Sequence, residues 1–307
     1  MEIVRGHLQS YDWGGTDGLS AWTAPTGRPQ AELWFGSHPN GPSPLRDAPG
    51  AASAPMPLLT KLLSAARPLS IQIHPPAAMA EAQYDVQQAD PGAPRLLSDP
   101  YAKAEILIAL EPFEILGGFR DARQSAAVLS ALGPGLGRAA AAATSGDIKQ
   151  CVRTLLTLGI DDVFVNAARL PEAFLTAGLS AHDAAVIDEV VRCFPGDPGV
   201  FVAALLSART LAAGEAVYVT PGTAHAYVRG TGIEVMTNSD NVLRLGLTTK
   251  TVAVDAALAA MSVAARPHLV ARQSVQGVDT YAPQGAPSIV KVLTGTRAVA
   301  ATRAGRT

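Results

Sequence analysis

The chain has 307 residues, of which 48% are hydrophobic and 16% charged, and its formal net charge at pH 7 is -2. This composition predicts a globular protein with a core large enough for more than one domain. A net charge so close to zero excludes the broad positive field that binding to nucleic acid or an anionic membrane requires. No run of about 18 apolar residues occurs, so the sequence predicts no transmembrane helix.

Location and redox chemistry follow from a few further features. The first residues contain no basic segment followed by an apolar signal core, so we expect a cytoplasmic protein. Cys151 and Cys193 lie far apart in alanine-rich stretches, where they suggest neither a disulfide framework nor a thiolate metal site. Both are predicted to be small buried hydrophobic side chains. Of the six histidines, only His74 and His225 lie in strand-like surroundings.

The first part of the chain alternates short apolar stretches with turns. Residues 9–15 are an aromatic segment broken by glycines, and a loop follows to about Pro29. Alternating polar and apolar residues then predict strands. The predicted elements are strands that begin at residue 31 and that cover 57–63, 69–74, 102–110 and 113–120, and a helix from 77 to about 90.

The predicted strand 69–74 carries an amide and an imidazole two residues apart. Residues i and i+2 of a strand point to the same face, so Gln72 and His74 lie opposite Ile71 and Ile73. Pro75, with the proline after it, ends the strand. The polar face is either a solvated outer surface or part of a polar cavity, and only the second interpretation gives metal ligands.

One carboxylate stands in an unfavourable place. Glu105 begins a strongly apolar run, where an unpaired charge would be costly.

The second part of the chain changes character twice. From Asp121 to about Arg209 the spacing is helical, and this block contains no clustered acid, base or nucleophile. A strand over 211–219 then leads into a Pro-Gly turn, which places His225 at the start of the next strand. Residues 232–250 form a turn-rich segment with two acids, an arginine and a lysine, which a polar surface loop would also contain. A short helix is predicted over 252–261.

Many short strands interrupted by one helical block predict a β-barrel or jelly roll with an insertion. Polar residues that alternate inward along such strands would line a ligand cavity. Two imidazoles, a carboxylate and an amide oxygen suit a borderline metal such as Zn²⁺, and an all-oxygen or all-thiolate site fits these residues worse. The candidate ligands that could converge are Gln72, His74, Glu105 and His225. Spacing alone does not show that they do.

Several segments carry a resemblance to a known family. They are Tyr11-Asp12-Trp13-Gly14, residues 31–39 (AELWFGSHP), residues 69–75 (LSIQIHP), His225-Ala226-Tyr227 and residues 239–248 (SDNVLRLGLT). In this order, spanning roughly residues 9 to 255, they resemble the type I mannose-6-phosphate isomerases. The resemblance implies a mainly β protein of cupin (jelly-roll) fold that interconverts mannose 6-phosphate and fructose 6-phosphate. It also implies one Zn²⁺ per chain, held by Gln72, His74, Glu105 and His225.

The resemblance further implies an aldose-ketose isomerisation through a cis-enediol, in a monomer whose partner is a small sugar phosphate. Family motifs bring Lys103, Glu234, Asp240 and Arg244 to the site, with Lys103 and Asp240 as candidate acid/base groups. Arg244 is expected to orient the enediol or the phosphate, because guanidinium does not readily give up a proton. The expected substrate-binding residues are Trp13, Lys61, Ser70 and Lys250.

The chain departs from the family pattern in three places. The family usually reads His-Lys-Pro-Glu where this chain has Ala102-Lys103-Ala104-Glu105, and Thr249 stands where proline is common. Family members also continue into a further jelly-roll domain, of which residues 288–295 look like the opening strand and turn. The expected domains are a catalytic cupin over 1–120 and 209–262, a helical insertion over 121–208, and a truncated jelly-roll segment over 263–307.

These departures keep two alternatives open. A non-catalytic sugar-phosphate-binding cupin would explain the lost histidine and the short C-terminal region. A cupin iron oxygenase is the second alternative, but Gln72 occupies the first position of the His-X-His pair that such enzymes usually carry.

Overall fold

A long antiparallel sheet organises the chain. The structure is a computed structural model that describes residues 3–48, 51, 54–284, 286, 288–293 and 299–303. The strands in these residues are β1 (His7–Gln9), β2 (Glu32–Phe35), β3 (Leu58–Ala65), β4 (Gln72–Ile73), β5 (Glu105–Ala109), β6 (Phe113–Phe119), β7 (Leu206–Leu211), β8 (Ala216–Val219), β9 (His225–Thr237), β10 (Leu243–Arg244), β11 (His268–Val270), β12 (Arg272–Val275), β13 (Val278–Tyr281), β14 (Ser288–Leu293) and β15 (Val299–Arg303).

Most helices lie between β6 and β7. The helices are α1 (Ala77–Ala89), α2 (Ala122–Ala131), α3 (Gly137–Thr144), α4 (Ile148–Leu156), α5 (Ile160–Ala167), α6 (Leu170–Thr176), α7 (Ala181–Cys193), α8 (Gly199–Ala204) and α9 (Val254–Ala260), with a 3₁₀ turn at Pro134–Leu136. Side chains of Asp121, Asp147 and Ser180 accept backbone N–H groups at the starts of α2, α4 and α7. None of the described helices is long and apolar enough to cross a membrane.

Strand β9 pairs with four other strands of the sheet. Its second half lies between β3 and β5, within the order β1-β2-β3-β9-β5-β8-β11. Its first half pairs with β4 and β6, and these two strands pair in turn with β10 and β7. Every one of these pairs is antiparallel. One continuous strand therefore joins both groups of strands around a common cavity.

A bulge in β9 allows both halves of the strand to face that cavity. Tyr227 pairs with Ile115, but Arg229, two residues on, pairs with Glu114, so β9 has one extra residue there. Val228 joins the core under the helices and Arg229 reaches Glu189 on α7, so these neighbours both point away from the cavity. The extra residue shifts by one position the alternation of side chains between the cavity face and the outer face of the strand.

The helical block covers one outer face of the sheet. A single apolar core joins α2–α8 to outward-facing residues of the sheet, including Ile71, Ile73, Leu116, Ala226 and Val228. The predicted orientation of the 69–74 stretch is therefore confirmed: its isoleucines are fully buried under helices, and Gln72 lines the cavity on the other face.

A second sheet covers the other outer face. Strands β12–β15 form a four-stranded antiparallel sheet. Tyr281 and Val290 from it pack on Ile106, Ile233 and other outward residues of β3, β5, β8 and β9. The strand predicted from residue 288 is present as β14, whereas the turn predicted at Thr294-Gly295 lies outside the described residues.

The predicted helix after residue 77 and the strands near 31, 57, 102 and 113 are confirmed within a few residues. Three predictions need correction. The single strand expected over 211–219 is two strands, β7 and β8, because a turn at 212–215 reverses the chain. The 232–250 segment is not turn-rich throughout, since its first residues belong to β9. The 69–74 strand has ladder pairing only over Gln72–Ile73.

The cysteine prediction holds for one residue only. Cys151 is fully buried in the helical core, and burial raises the pKa of its thiol to about 12. Cys193 ends α7, is half-buried, and lies at the edge of the cavity. Both thiols are free.

Candidate metal centre

A cavity of about 700 Å³ opens between the inner faces of the strands. Its walls come from β2, β3, β4, β5, β9 and β10 and from the loops near residues 12, 68, 98, 194 and 248. Ten charged residues line it, five acidic and five basic: Asp12, Glu32, Glu105, Glu234, Asp240, Lys61, Arg67, Lys103, Arg244 and Lys250. The volume and this polar lining suit a small, charged, hydroxylated ligand.

Three buried side chains converge at the cavity, which Glu105 and His225 line. His74 Nε2 lies 3.1 Å from Glu105 Oε2, and His225 Nε2 lies 3.0 Å from Glu105 Oε1. The candidate ligand atoms of all three lie within 4.8 Å of one another, a grouping that could hold a metal ion. The structure thus brings together three of the four candidate ligands. His74 comes from the residue after β4, Glu105 from the start of β5 and His225 from the start of β9.

Hydrogen bonds set the form of both imidazoles. His74 Nδ1 donates to the carbonyl oxygen of Asn241 at 2.9 Å, and His225 Nδ1 donates to that of Thr223 at 2.9 Å. A carbonyl oxygen only accepts, so Nδ1 carries the proton and Nε2 of the neutral ring presents a lone pair. Burial lowers the pKa of His74 to about 4, so this ring is neutral at pH 7.

This donor set fits a cation. Each Nε2 lone pair faces a carboxylate oxygen at hydrogen-bond distance, an arrangement that is repulsive unless positive charge lies between the atoms. Two imidazole nitrogens and a carboxylate are ligands that Zn²⁺ accepts, and carbonyl-anchored Nδ1 atoms are the usual support of metal-bound histidine. The residues present therefore fit a divalent metal ion.

Glu105 is held as a carboxylate by its neighbours. Lys103 Nζ lies 3.1 Å from Oε2, and the Tyr227 hydroxyl donates to Oε1 at 2.9 Å. Burial acts to raise the pKa of Glu105, but the positive charge of Lys103 opposes it, and the pKa lies well below the ordinary value. Burial and the adjacent Glu105 raise the pKa of Tyr227, so its hydroxyl remains a donor. Glu105 is thus not an unpaired buried charge.

A second buried ionic group lies on the neighbouring strands. Lys61 and Glu234 are register partners on β3 and β9, with Nζ 3.0 Å from the carboxylate. Lys61 is also 3.4 Å from Glu32, which accepts the Trp34 indole N–H at 2.7 Å. Burial acts to lower the pKa of Lys61, but the charges of Glu234 and Glu32 outweigh burial and raise that pKa. Burial raises the pKa of Glu234 although Lys61 stabilises its charge.

Asp240 is fixed at the other side of the cavity. Asn40 N–H donates to His38 Nδ1, so His38 Nε2 carries the proton that reaches Asp240 at 3.2 Å. The Asn40 side chain donates to the second carboxylate oxygen at 2.7 Å. The hydrogen bond from His38 lowers the pKa of Asp240. The exposed fraction of its side chain is 37%, so this carboxylate remains open to a ligand.

The remaining predicted residues also line the cavity: Trp13, Ser70, Gln72, Arg244 and Lys250. Arg244 is half-buried, and Lys250 is exposed. Within the described part of the chain neither cation forms an ion pair, unlike Lys61, Lys103 and Arg67, the last of which pairs with Asp12. Arg244 and Lys250 are therefore the cavity cations that remain available to bind an anionic ligand.

Sequence reasoning missed several residues that shape the site. Tyr227 and Glu32 lie in the quoted motifs but received no role, although their alternation with His225 and Trp34 places each pair on one face. Asn241 and Thr223 contribute through backbone oxygens, which no side-chain pattern reveals. Arg67 reaches the cavity from a loop and carries no periodic signal.

Fold and site together define a metal-binding protein with a large antiparallel sheet and a cavity rich in acid and base groups. The model of the family described as "Phosphomannose isomerase type I, catalytic domain" matches residues 2–122. The mannose-6-phosphate isomerase of Salmonella typhimurium is 32% identical over 81% of this chain and 72% of its own length. That of Escherichia coli is 28% identical over 92% and 81%. The chain belongs to the type I mannose-6-phosphate isomerase family, as its motifs predict.

Solved structures agree with this assignment. A variant of phosphomannose isomerase from Salmonella typhimurium matches with a TM-score of 0.83 and 26% identity, covering 95% of this chain and 82% of the other. A mannose 6-phosphate isomerase bound with zinc and yttrium matches with a TM-score of 0.81 and 27% identity over the same shares.

Proposed function

We propose that this protein is a zinc-dependent aldose-ketose isomerase that interconverts mannose 6-phosphate and fructose 6-phosphate. The observation that carries the proposal is the buried His74–Glu105–His225 group, of which Glu105 and His225 line the cavity. The cavity also presents candidate acid/base groups and two cations that form no ion pair within the described residues. Family membership supplies the substrate class. A protein that only bound a sugar phosphate would not need buried imidazole lone pairs against a carboxylate.

The three buried residues would hold one Zn²⁺, with Gln72 as a fourth ligand. Gln72 is the register partner of His225 and lines the same cavity. When bound, the ion would supply Lewis acidity that stabilises negative charge on the two adjacent substrate oxygens. Lys103 and Tyr227 keep Glu105 ionised and oriented for that role.

The proposed reaction moves one proton between two carbons. In the open-chain aldose, a base removes the C2 proton while O1 gains a proton, which gives a cis-enediol. A proton then returns to C1 as the O2 proton leaves, which gives the ketose, so no oxidant or reductant is needed. The candidates for these transfers are Lys103 and Asp240, and Glu234 stands beside them. The Asp240 carboxylate is partly exposed to the cavity, whereas the Lys103 ammonium group is buried and contacts Glu105.

Arg244 and Lys250 are proposed to bind the phosphate, with Ser70 as a hydroxyl donor. All three line the cavity, and neither cation forms an ion pair among the described residues. An arginine binds phosphate with two parallel N–H donors. We propose that Trp13 packs against the sugar. Lys61 is held between two carboxylates, which suits it to contact a hydroxyl and to fix Glu234.

The finer organisation remains proposed as well. We place a cupin (jelly-roll) catalytic domain at residues 1–120 and 209–262, a helical insertion at 121–208, and the beginning of a further jelly roll after 263. The run of helices between β6 and β7 and the separate β12–β15 sheet support this division. We also propose that the protein acts as a cytoplasmic monomer.

The test is to follow each sugar phosphate with purified, zinc-loaded protein by NMR in D₂O. Mannose 6-phosphate and fructose 6-phosphate should reach the same mixture from either side, with solvent deuterium entering at C1 or C2 because the enediol exchanges its proton. Binding of either sugar without conversion would instead identify a non-catalytic sugar-phosphate-binding protein. Oxygen uptake with added Fe²⁺ would point to the oxygenase alternative.

A further inference from the structure

The orientation of His74 depends on a backbone oxygen 167 residues away in the sequence. The Asn241 carbonyl accepts the His74 Nδ1 proton at 2.9 Å, and this bond turns Nε2 toward Glu105. The carbonyl can hold the ring only if residue 241 is itself fixed. It lies in the irregular segment between β9 and β10, so no strand ladder fixes it.

The Asn241 side chain supplies that fixation. It is fully buried, and its hydrogen bonds go to residues 98–101. Its Oδ1 accepts the backbone N–H groups of Ser98 at 2.8 Å and Asp99 at 3.3 Å. Its Nδ2 donates to the carbonyl oxygens of Asp99 at 2.7 Å and Tyr101 at 2.8 Å, and to Asp99 Oδ1 at 3.0 Å. The acceptors and donors of the amide are all used.

The same contact orders a second part of the site. The 98–101 segment leads directly into Lys103, and Asp99 also accepts the Ser239 hydroxyl at 2.9 Å and the Asp240 N–H at 3.3 Å. Asn241 thus connects the segment that carries Asp240 to the segment that leads to Lys103. Its carbonyl connects both to His74.

We propose that Asn241 is a positioning residue, which locks the His74 imidazole and the Lys103 segment in one geometry through its backbone oxygen and its side-chain amide. An amide is the chemistry this position requires. Aspartate has the same shape but cannot donate to the two carbonyls and would face the Asp99 carboxylate. Alanine would leave buried N–H and C=O groups without partners.

This inference rests on the proposed metal site, so it is tested by metal binding as well as by turnover. The variant is Asn241→Ala and the matched control is Asn238→Ala, three residues earlier. Asn238 is half-buried, and its amide donates to the Met56 carbonyl at 3.1 Å, away from residues 98–101. Zn²⁺ affinity is measured by competition with a chelator. The absorption bands of bound Co²⁺ at saturation report the ligand geometry.

Asn241→Ala should weaken Zn²⁺ binding by roughly 10- to 100-fold and shift the Co²⁺ bands, as loss of a ligand's supporting contact does. Asn238→Ala should match the parent protein in Zn²⁺ affinity and in the positions of the Co²⁺ bands. If Asn241→Ala folds and binds both metals as the parent does, the proposal is overturned, whatever its stability. A folded state is judged by circular dichroism and a cooperative melt.

Asp99→Ala keeps the test decisive if Asn241→Ala does not fold. Asp99 is half-buried. Its replacement by alanine removes the carboxylate that accepts hydrogen bonds from Asn241, Ser239 and Asp240. It should give a smaller loss of Zn²⁺ affinity in the same direction, and parent-like affinity with unshifted Co²⁺ bands would overturn the proposal. If the parent binds Zn²⁺ without isomerising either sugar, the proposed function fails, yet the comparison of metal affinities still decides this inference.

Discussion

At the scale of single residues, the cavity shows how buried charges are kept. Glu105 is surrounded by Lys103 and two imidazoles, and Lys61 lies between two carboxylates. A buried ion without such a partner would cost several kcal/mol. Arg244 and Lys250 differ because they lie at the more solvated part of the cavity, where an unpaired cation costs less and remains available to a ligand.

Removing Lys61 should leave Glu32 and Glu234 buried without their shared cation. We predict that Lys61→Met lowers the free energy of unfolding by about 3 to 5 kcal/mol, measured by urea denaturation. The double variant Lys61→Met/Glu234→Gln should recover part of that loss, because one of the two orphaned charges is gone. Equal stability of the single and double variants would show that Lys61 does not act by charge compensation.

Lys250 should act on the phosphate alone. We predict that Lys250→Ala raises KM for mannose 6-phosphate about tenfold, since a charge-assisted hydrogen bond contributes about 1.5 kcal/mol or more. Any turnover of unphosphorylated mannose should be unchanged. Lys149→Ala on α4, also an exposed lysine, is the control and should have no effect. A rise in KM that is equal for both sugars would argue against a phosphate contact.

At the scale of elements, the bulge in β9 determines which residues reach the site. His225 and Tyr227 face the cavity before the bulge, and Glu234 faces it afterwards, although Tyr227 and Glu234 are an odd number of positions apart and would lie on opposite faces of a regular strand. Gly230 follows the bulge with a φ of +134°, a conformation that favours glycine. A Cβ there would lie 2.7 Å from the Phe113 ring.

Gly230→Ala should therefore strain the backbone and collide with Phe113. We predict a loss of about 2 to 5 kcal/mol in the free energy of unfolding, measured by chemical denaturation. The matched change is Gly137→Ala at the start of α3, where φ is -57° and no atom lies near the new Cβ. That variant should gain about 0.4 to 1 kcal/mol. A neutral Gly230→Ala would mean that the bend does not require glycine.

The sequence predicts elements well where the pattern is local. Strand alternation places Gln72 and His74 opposite Ile71 and Ile73, and the turn before His225 is marked by Pro-Gly. It does not predict which strands become neighbours. Lys61 and Glu234 are 173 positions apart, and only the pairing of β3 with β9 brings them together. The bulge likewise leaves no pattern, because one extra residue looks like irregular alternation.

At the scale of the whole molecule, the site joins distant parts of the chain into one unit. His74 follows β4, Glu105 and His225 begin β5 and β9, and His38 and Asn40 reach Asp240 across about 200 residues. A metal ion that binds only this folded arrangement must stabilise the whole fold. The stabilisation is RT ln(1 + [L]/Kd), about 4 kcal/mol at a metal concentration a thousandfold above Kd.

Zinc should accordingly raise the melting temperature. Chelated protein that receives Zn²⁺ is predicted to melt on the order of 5 to 10 °C higher in a thermal scan. His225→Ala should lose this shift, whereas His182→Ala, an exposed histidine paired with Glu114, should keep it. An undiminished shift in His225→Ala would place the metal elsewhere.

The most direct test of the central claim is the isomerase activity of purified protein with mannose 6-phosphate, measured as isolated, after chelation and after Zn²⁺ is restored. Metal content is read in parallel. We predict one zinc per chain, activity that disappears with the metal and returns with it, and none in His225→Ala. Activity that survives complete removal of the metal, or a zinc-loaded folded protein without turnover, would show that the protein is not a zinc-dependent isomerase.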